Sequence, residues 1–264
     1  MSVIVAAHNA AGCIGECLSS LVHQTYHDFE IIVVNDASTD DTRRIVQEAG
    51  IPNLRLIDLH ENVGPADARN IAARHARGAY LAVLDADDVA MPQRLERQTG
   101  FLDQHPEIAM VGSYLNLESP DGKSRIAVRP LTGPKIRAGL SWSTPLANTS
   151  LMIRADVFRR VGGYPAGRRH GEDHRLLARV LREHAAANIA EVLVTKRESL
   201  RGLTFGISPF RHFQLALSHR IHAVRTVGLP FWHYPIAIVA AAGMLAVRWF
   251  DLDREDFKPQ ARVE

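Results

Sequence analysis

Cysteine is scarce in this chain of 264 residues, and its two, Cys13 and Cys17, lie one helical turn apart. At that spacing they read as small buried apolar residues on a helix, which sets aside a disulfide framework and a thiolate metal or redox site. Charge of one sign is missing too: 31 Lys and Arg against 29 Asp and Glu leave a net +2. Without a long basic run, nucleic acid is not expected as a partner. No strand end carries a G-x-G-x-x-G phosphate loop, and Ala7-His8-Asn9-Ala10-Ala11-Gly12 has no glycine-rich turn. A dinucleotide-binding oxidoreductase is thereby excluded. There is no basic segment before the first apolar run, so no signal peptide is expected, and the location expected is the cytoplasm. Repeats and low-complexity stretches are also missing.

What is present is a strand-and-helix alternation with polar residues at the strand ends. Ser2 to Ala7 is an apolar strand closed by His8-Asn9, with Asn9 expected to cap the helix that carries Ile14, Cys17, Leu18, Leu21 and Val22. Phe29 to Val34 is a second strand ending at Asn35-Asp36, and Leu54 to Ile57 a third. Gly64-Pro65 opens an Ala-rich helix to Arg77. Ala79 to Leu84 is apolar without alternation, as a central strand covered on both faces should be, and it runs into Asp85-Ala86-Asp87-Asp88. Such spacing predicts an α/β fold with a mostly parallel sheet and helices on both faces. Three carboxylates within four residues, at the carboxyl end of a central strand, sit where open sheets bind ligands. They repel one another without a cation, and oxygen ligands suit Mg²⁺ or Mn²⁺. An isolated acidic turn capping a helix is the plainer reading of the same four residues.

Six motifs in order make the sequence resemble the family-2 glycosyltransferases with the GT-A fold. Ala6-Ala7-His8-Asn9 stands where relatives have a Pro-Thr-Tyr-Asn-like strand end. Ser20-Leu21-Val22-His23-Gln24-Thr25 follows, then Asn35-Asp36-Ala37-Ser38-Thr39-Asp40-Asp41-Thr42, Gly64 to Asn70 and Asp85 to Asp88. Gly162-Gly163-Tyr164 and Gly171-Glu172-Asp173 complete the series. His8 replaces an aromatic that packs near the nucleobase, and Asn35 replaces the first Asp of a pair whose second member, Asp36, is kept.

The resemblance implies a nucleotide-sugar donor, a UDP-sugar above all, held by Ala7, His8, Asn9, Asp36, Arg69, Asp85 and Ala86. It implies Mn²⁺ or Mg²⁺ on Asp87 with Asp85, and Asp173 as general base with Glu172 the second choice. Direct displacement by an acceptor hydroxyl would invert the anomeric centre. The acceptor is expected to be a glycan or a lipid-linked saccharide in cell-surface polysaccharide or glycolipid synthesis. A catalytically weak nucleotide-sugar-binding protein and a sugar nucleotidyltransferase are the alternatives. The latter wants the glycine-rich loop that is missing after the first strand. His170 and His174 read first as loop and helix polar residues, with metal or diphosphate contact as the other reading.

Residues 1–200 are expected to form the GT-A domain, with 1–112 binding donor and 113–200 acceptor. In the second half, Pro92 to Gln104 should be a helix, Ile108 to Gly112 a strand and Tyr114 to Val128 a hairpin. Asn148 to Ile153 should be a further strand. Residues 201–264 are expected to form a helical extension. Trp232 to Trp249 would span roughly 26 Å as a helix, close to a hydrocarbon core, and carries aromatics at both ends. Its unbroken apolar part, Pro235 to Val247, has the length of a buried or interfacial helix. Contact with the inner face of the cytoplasmic membrane, packing on the catalytic domain and homodimerisation through these helices are all compatible with the pattern.

Overall fold

A computed structural model describes residues 1–168, 170–197 and 207–252, with side chains to residue 244 in the last stretch. The first half winds β1 (Ser2–Ala7), α1 (Ile14–Val22), β2 (Glu30–Asn35), α2 (Thr42–Glu48), β3 (Leu54–Asp58), α3 (Pro65–His75) and β4 (Tyr80–Val83). β5 (Val89–Ala90), α4 (Arg94–Gln104), β6 (Ile108–Glu118), β7 (Ser124–Ala127), α5 (Pro134–Gly139), β8 (Met152–Arg154) and α6 (Ala155–Arg160) follow. The chain closes with α7 (Glu172–Glu183), β9 (Ala185–Arg197), α8 (Pro209–Val227) and α9 (His233–Leu252).

One nine-stranded sheet runs β3-β2-β1-β4-β8-β6-β9-β5, with β7 paired to β6. β1 lies parallel to both β2 and β4. The chain moves outward from β1 to β3 and returns to the other side of β1 as β4, so a topological switch point opens between β1 and β4. Ligands of open α/β sheets bind at such points. Burial on both faces of β1 and β2 explains why their sequence shows no alternation. Ile4, Ile32 and Val34 pack with α3, α6, α7 and α8 on one face. Val3, Val5, Ile31 and Val33 pack with α1 and α4 on the other.

Several elements depart from the sequence reading. Asn9 does not cap α1, which begins at Ile14 after Cys13. Asn9 instead takes a positive φ of 50° and accepts a hydrogen bond from the Thr39 amide at 2.8 Å. Asn148–Ser150 is a 3₁₀ turn before the short β8, because Asn148 and Thr149 turn toward the site instead of pairing. β5, α5 and β9 have no counterpart in the sequence reading. The expected hairpin is present, with Leu115 opposite Ala127. The expected helix from Arg201 lies partly outside the described residues. α8 and α9 do lie outside the sheet, yet α8 is no loose appendage: Ala223 and Val227 join the core formed by Leu176, Leu177 and Val180.

Candidate active site

The motifs that are far apart in sequence meet at the end of β4. Arg69, from the buried face of α3, donates from Nη2 to Asp85 Oδ1 at 2.7 Å and from Nη1 to Glu172 Oε1 at 3.1 Å. Its guanidinium lies 5.6 Å from the centroid of the Tyr164 ring. Tyr164 donates from its hydroxyl to Asn148 Oδ1 at 2.7 Å, and Asn148 Nδ2 donates to the same Asp85 oxygen at 3.3 Å. Asn70, next to Arg69, exchanges two hydrogen bonds with the Tyr164 backbone at 2.9 and 3.0 Å. The Gly-Gly-Tyr turn is thus fastened to α3, and Gly163, at φ +62°, has no Cβ to collide with Asn70 and Phe158.

The sequence suggested that the carboxylate cluster has no counter-charge of its own, and the structure corrects this. Lys196, near the end of β9, places Nζ 3.9 Å from Asp85 Oδ2 and 3.6 Å from Asp88 Oδ2. Burial works to raise the Asp85 pKa, but Arg69 and Lys196 outweigh it and hold the carboxyl below its usual range. Asp88 is fully buried and accepts from the Arg197 amide at 3.0 Å. Burial, with Asp85 and Asp87 alongside, pushes its pKa up to about 7 against the pull of Lys196. Asp87 is half-buried, and burial followed by Asp85 raises its pKa as well. Among the described residues no three His, Cys, Asp or Glu side chains are grouped to hold a metal. Among those same residues no cation forms an ion pair with Asp87, unlike Asp85 and Asp88. A divalent cation shared with a phosphate-bearing ligand therefore fits Asp87 better than Asp85.

At the ends of β1 and β2 the loops interlock. Asn9 N donates to Ser38 Oγ, Ala10 N to Thr42 Oγ1 and Ala11 N to Asp40 Oδ2, at 2.9, 2.7 and 3.0 Å. Ala37, a non-glycine residue, sits at φ 53°. Asp36 is only 3% exposed, and its two oxygens accept from Val63 N and Gly64 N at 2.8 and 2.9 Å. It holds the turn before α3 first, and only the remaining lone pairs could serve a nucleoside. His8 is exposed and its Nδ1 contacts Asp36 O at 2.7 Å, a bond that steadies the ring at the crevice mouth. Ala7 closes β1 and is buried, and Ala86, between Asp85 and Asp87, is 8% exposed.

Glu172 and Asp173 open α7 beside this network. Burial, and then Asp173, pushes the Glu172 pKa up to about 7 although Arg69 opposes both. Asp173 is half-buried, with Oδ1 accepting from the His174 amide at 2.7 Å. His174 turns away from the crevice, its Nε2 donating to Leu140 O at 3.0 Å, so it is a packing histidine. Lys196, Asn148 and Thr149 are site residues that the sequence reading missed. Nothing near Lys196 in sequence signals that β9 ends beside the carboxylates that follow β4.

The family model for Glycosyl transferase family 2 matches residues 2–162. An uncharacterized glycosyltransferase of Haemophilus influenzae is 33% identical over 213 residues, which cover 75% of this chain and 65% of that protein. The chain therefore spans about two thirds of that relative's length. The Escherichia coli enzyme WfgD, a UDP-Glc:alpha-D-GlcNAc-diphosphoundecaprenol beta-1,3-glucosyltransferase, is 31% identical over 58% of this chain and 61% of its own. Among solved structures, S. aureus TarS 1-349 with UDP-GlcNAc superposes with a TM-score of 0.69 at 21% identity, over 96% of this chain and 76% of that one. The mannosyltransferase PcManGT of Pyrobaculum calidifontis, in complex with GDP-Man and Mn²⁺, gives 0.63 at 23% identity, over 97% and 81%. These two establish likeness of fold. With the family model matched from β1 through α6, the chain belongs to glycosyl transferase family 2.

Proposed function

We propose that this protein moves a sugar from a nucleoside-diphosphate donor, a UDP-sugar, to an acceptor hydroxyl with inversion at the anomeric carbon. One observation carries the reading: a single buried arginine, Arg69, ties the carboxylate at the end of β4 to the one that opens α7. Donor-side and acceptor-side groups therefore face a common crevice at the switch point. The donor would lie across the ends of β1, β2 and β4, over Ala7, His8, Asn9, Asp36, Asp85 and Ala86. Asp87 would hold Mn²⁺ or Mg²⁺, with Asp85 at its side, and such an ion would neutralise charge building on the leaving diphosphate. Lys196 and Arg69 set the field around those carboxylates.

Asp173 takes the proton of the attacking hydroxyl. Glu172 is committed to Arg69, which makes it the positioning partner. In an Asp173→Asn variant, transfer should fall by about 10²-fold, the usual loss for a general base, while UDP binding stays near wild type. Turnover near wild type would hand the role to another group. An anomer-resolved NMR spectrum with retained configuration would rule out direct displacement. Asp87→Ala should remove the Mn²⁺-dependent part of UDP affinity in calorimetry, and equal affinity with EDTA and with Mn²⁺ in the wild type would overturn the metal assignment.

The acceptor is proposed to be a glycan or lipid-linked saccharide of a cell-surface polymer, met at the inner face of the cytoplasmic membrane. The acceptor named for WfgD supports this, as does the exposed apolar edge formed by Phe231, Trp232, Ile236, Ile238 and Val239. Among the described residues no helix is long and apolar enough to cross a membrane. Adsorption through this edge is therefore the form proposed.

A further inference from the structure

Three arginines and a histidine from three elements lie close to one another on the α8 side of α7. Arg168 lies in the loop before α7, Arg175 stands one turn into the helix, and His219 and Arg220 come from α8. The His219 ring packs so tightly over Gly171 that a Cβ there would overlap it, and Gly171 holds φ +67°. His219 is 8% exposed, yet among the described residues neither ring nitrogen has a hydrogen-bond partner. Arg175 Nε and Arg220 Nε are likewise buried without an acceptor. Arg220 Nη1 donates to Ala216 O at 3.1 Å, and Nη2 donates to Trp142 O at 3.2 Å and Met244 Sδ at 3.1 Å.

This arrangement is unfavourable as it stands. A buried donor without an acceptor loses its hydration and gains nothing in return. Burial, and then Arg175, His174, Arg168 and Arg220, all push the His219 pKa down, to about 3. The neutral ring keeps one N–H to donate and sits among arginines whose charges repel one another. An anion with several oxygens spread in three dimensions answers both faults, since it neutralises the arginines and accepts from donors on separate elements. Phosphate does this better than the planar, two-oxygen carboxylate.

We propose that Arg168, Arg175, His219 and Arg220 form a binding site for a phosphate or diphosphate group carried by the acceptor. The inference rests on the reading of Glu172 and Asp173 as the acceptor side of the crevice. Gly171, beneath the His219 ring, is the residue immediately before that pair, so the bound phosphate sits beside the attacking sugar. The donor's diphosphate belongs at the end of β4, beside Asp85 and Asp87, and is served by other residues.

The test is calorimetric titration of inorganic pyrophosphate into the full chain already saturated with UDP. A single site with a dissociation constant of ~1 mM or tighter is expected. The combined His219→Gln and Arg175→Gln variant should weaken pyrophosphate by about tenfold or more, the loss of two charge-assisted hydrogen bonds, with UDP affinity unchanged. Arg168→Gln, at an exposed position, guards against a folding defect and should weaken pyrophosphate in the same direction. Competition then separates the sources. Displacement by farnesyl diphosphate assigns a lipid-linked diphosphate, and displacement by glycerol 3-phosphate assigns a phosphate of a polymer. No displacement by either overturns the proposal, as does pyrophosphate affinity that is absent or equal in wild type and variants. If UDP fails to bind while pyrophosphate binding still depends on His219, the donor reading falls and this site stands.

Discussion

Arg69 carries two obligations at once, and the cost of removing it shows how the crevice is built. Forming a buried ion pair adds little net stability, whereas deleting one partner strands the other charge. Here Glu172 would lose its one ion-pair partner among the described residues and Asp85 would keep only Lys196, at side-chain exposures of 12% and 19%. Arg69→Met should therefore lower unfolding stability by about 3–5 kcal/mol in urea titration, the range for an uncompensated buried pair. Arg69→Lys offers a point charge in place of a fork and should fall between the two. Glu172 adds a pH signature. Its folded pKa, about 7, lies above the ordinary carboxylate value, so the folded state binds protons more tightly than the unfolded chain. Stability from this group is present at low pH and lost as pH rises from the unfolded value through about 7. In Glu172→Gln the stability-pH curve should be flatter across that window than in wild type. An unchanged slope would place the titration elsewhere, on Asp88, which shifts in the same direction.

At the scale of elements, what the sequence disclosed depended on who supplies the stabilising partner. β1, β2 and β4 were legible because burial on both faces demands unbroken apolar runs, which need no knowledge of their neighbours. β9 was not. Its first part, Ala185-Ala186-Ala187-Asn188, favours no strand, and the segment is extended because it pairs along β6 from Ile108 to Glu118. Lys196 was hidden for the same reason, since its place opposite Leu117 of β6 is a property of the pairing. The Asp85, Arg69 and Glu172 motifs were readable one by one, and Arg69 is the residue type to brace the carboxylates after β4, but its reach across to Glu172 was not legible. Gly171 shows a local device that sequence does report, a glycine just before a helix. Gly171→Ala would combine a left-handed backbone with overlap on His219 and should cost about 1–3 kcal/mol in thermal unfolding. A neutral effect would mean that the His219 ring moves freely.

For the molecule as a whole, the boundary between body and appendage falls within the C-terminal helices. α8 shares the core with α7, whereas α9 packs on α8, burying Ala237 and Ala241 and leaving Ile238 and Val239 exposed. Removing residues 229–264 should leave a soluble chain that binds UDP. Truncation before Ser208 should expose Leu176, Leu177 and Val180 and give aggregates. If the apolar edge meets lipid, the full chain co-sediments with anionic liposomes at low salt and the chain ending at 228 does not. If it meets a second copy instead, the full chain sediments as a dimer without lipid, and the truncation is a monomer.

The shared arginine also couples donor binding to proton exchange with the solvent. Glu172 is close to half-ionised near neutral pH, and part of what keeps it ionised is Arg69. If the donor's diphosphate sits beside Asp85 as proposed, it draws on the same guanidinium and weakens its hold on Glu172, which then takes up a fraction of a proton. The coupling is reciprocal, so donor affinity should rise as pH falls through about 7. Its mark is a heat of UDP binding that differs between PIPES and Tris at equal pH, in proportion to their ionisation enthalpies. In Glu172→Gln that buffer dependence should vanish.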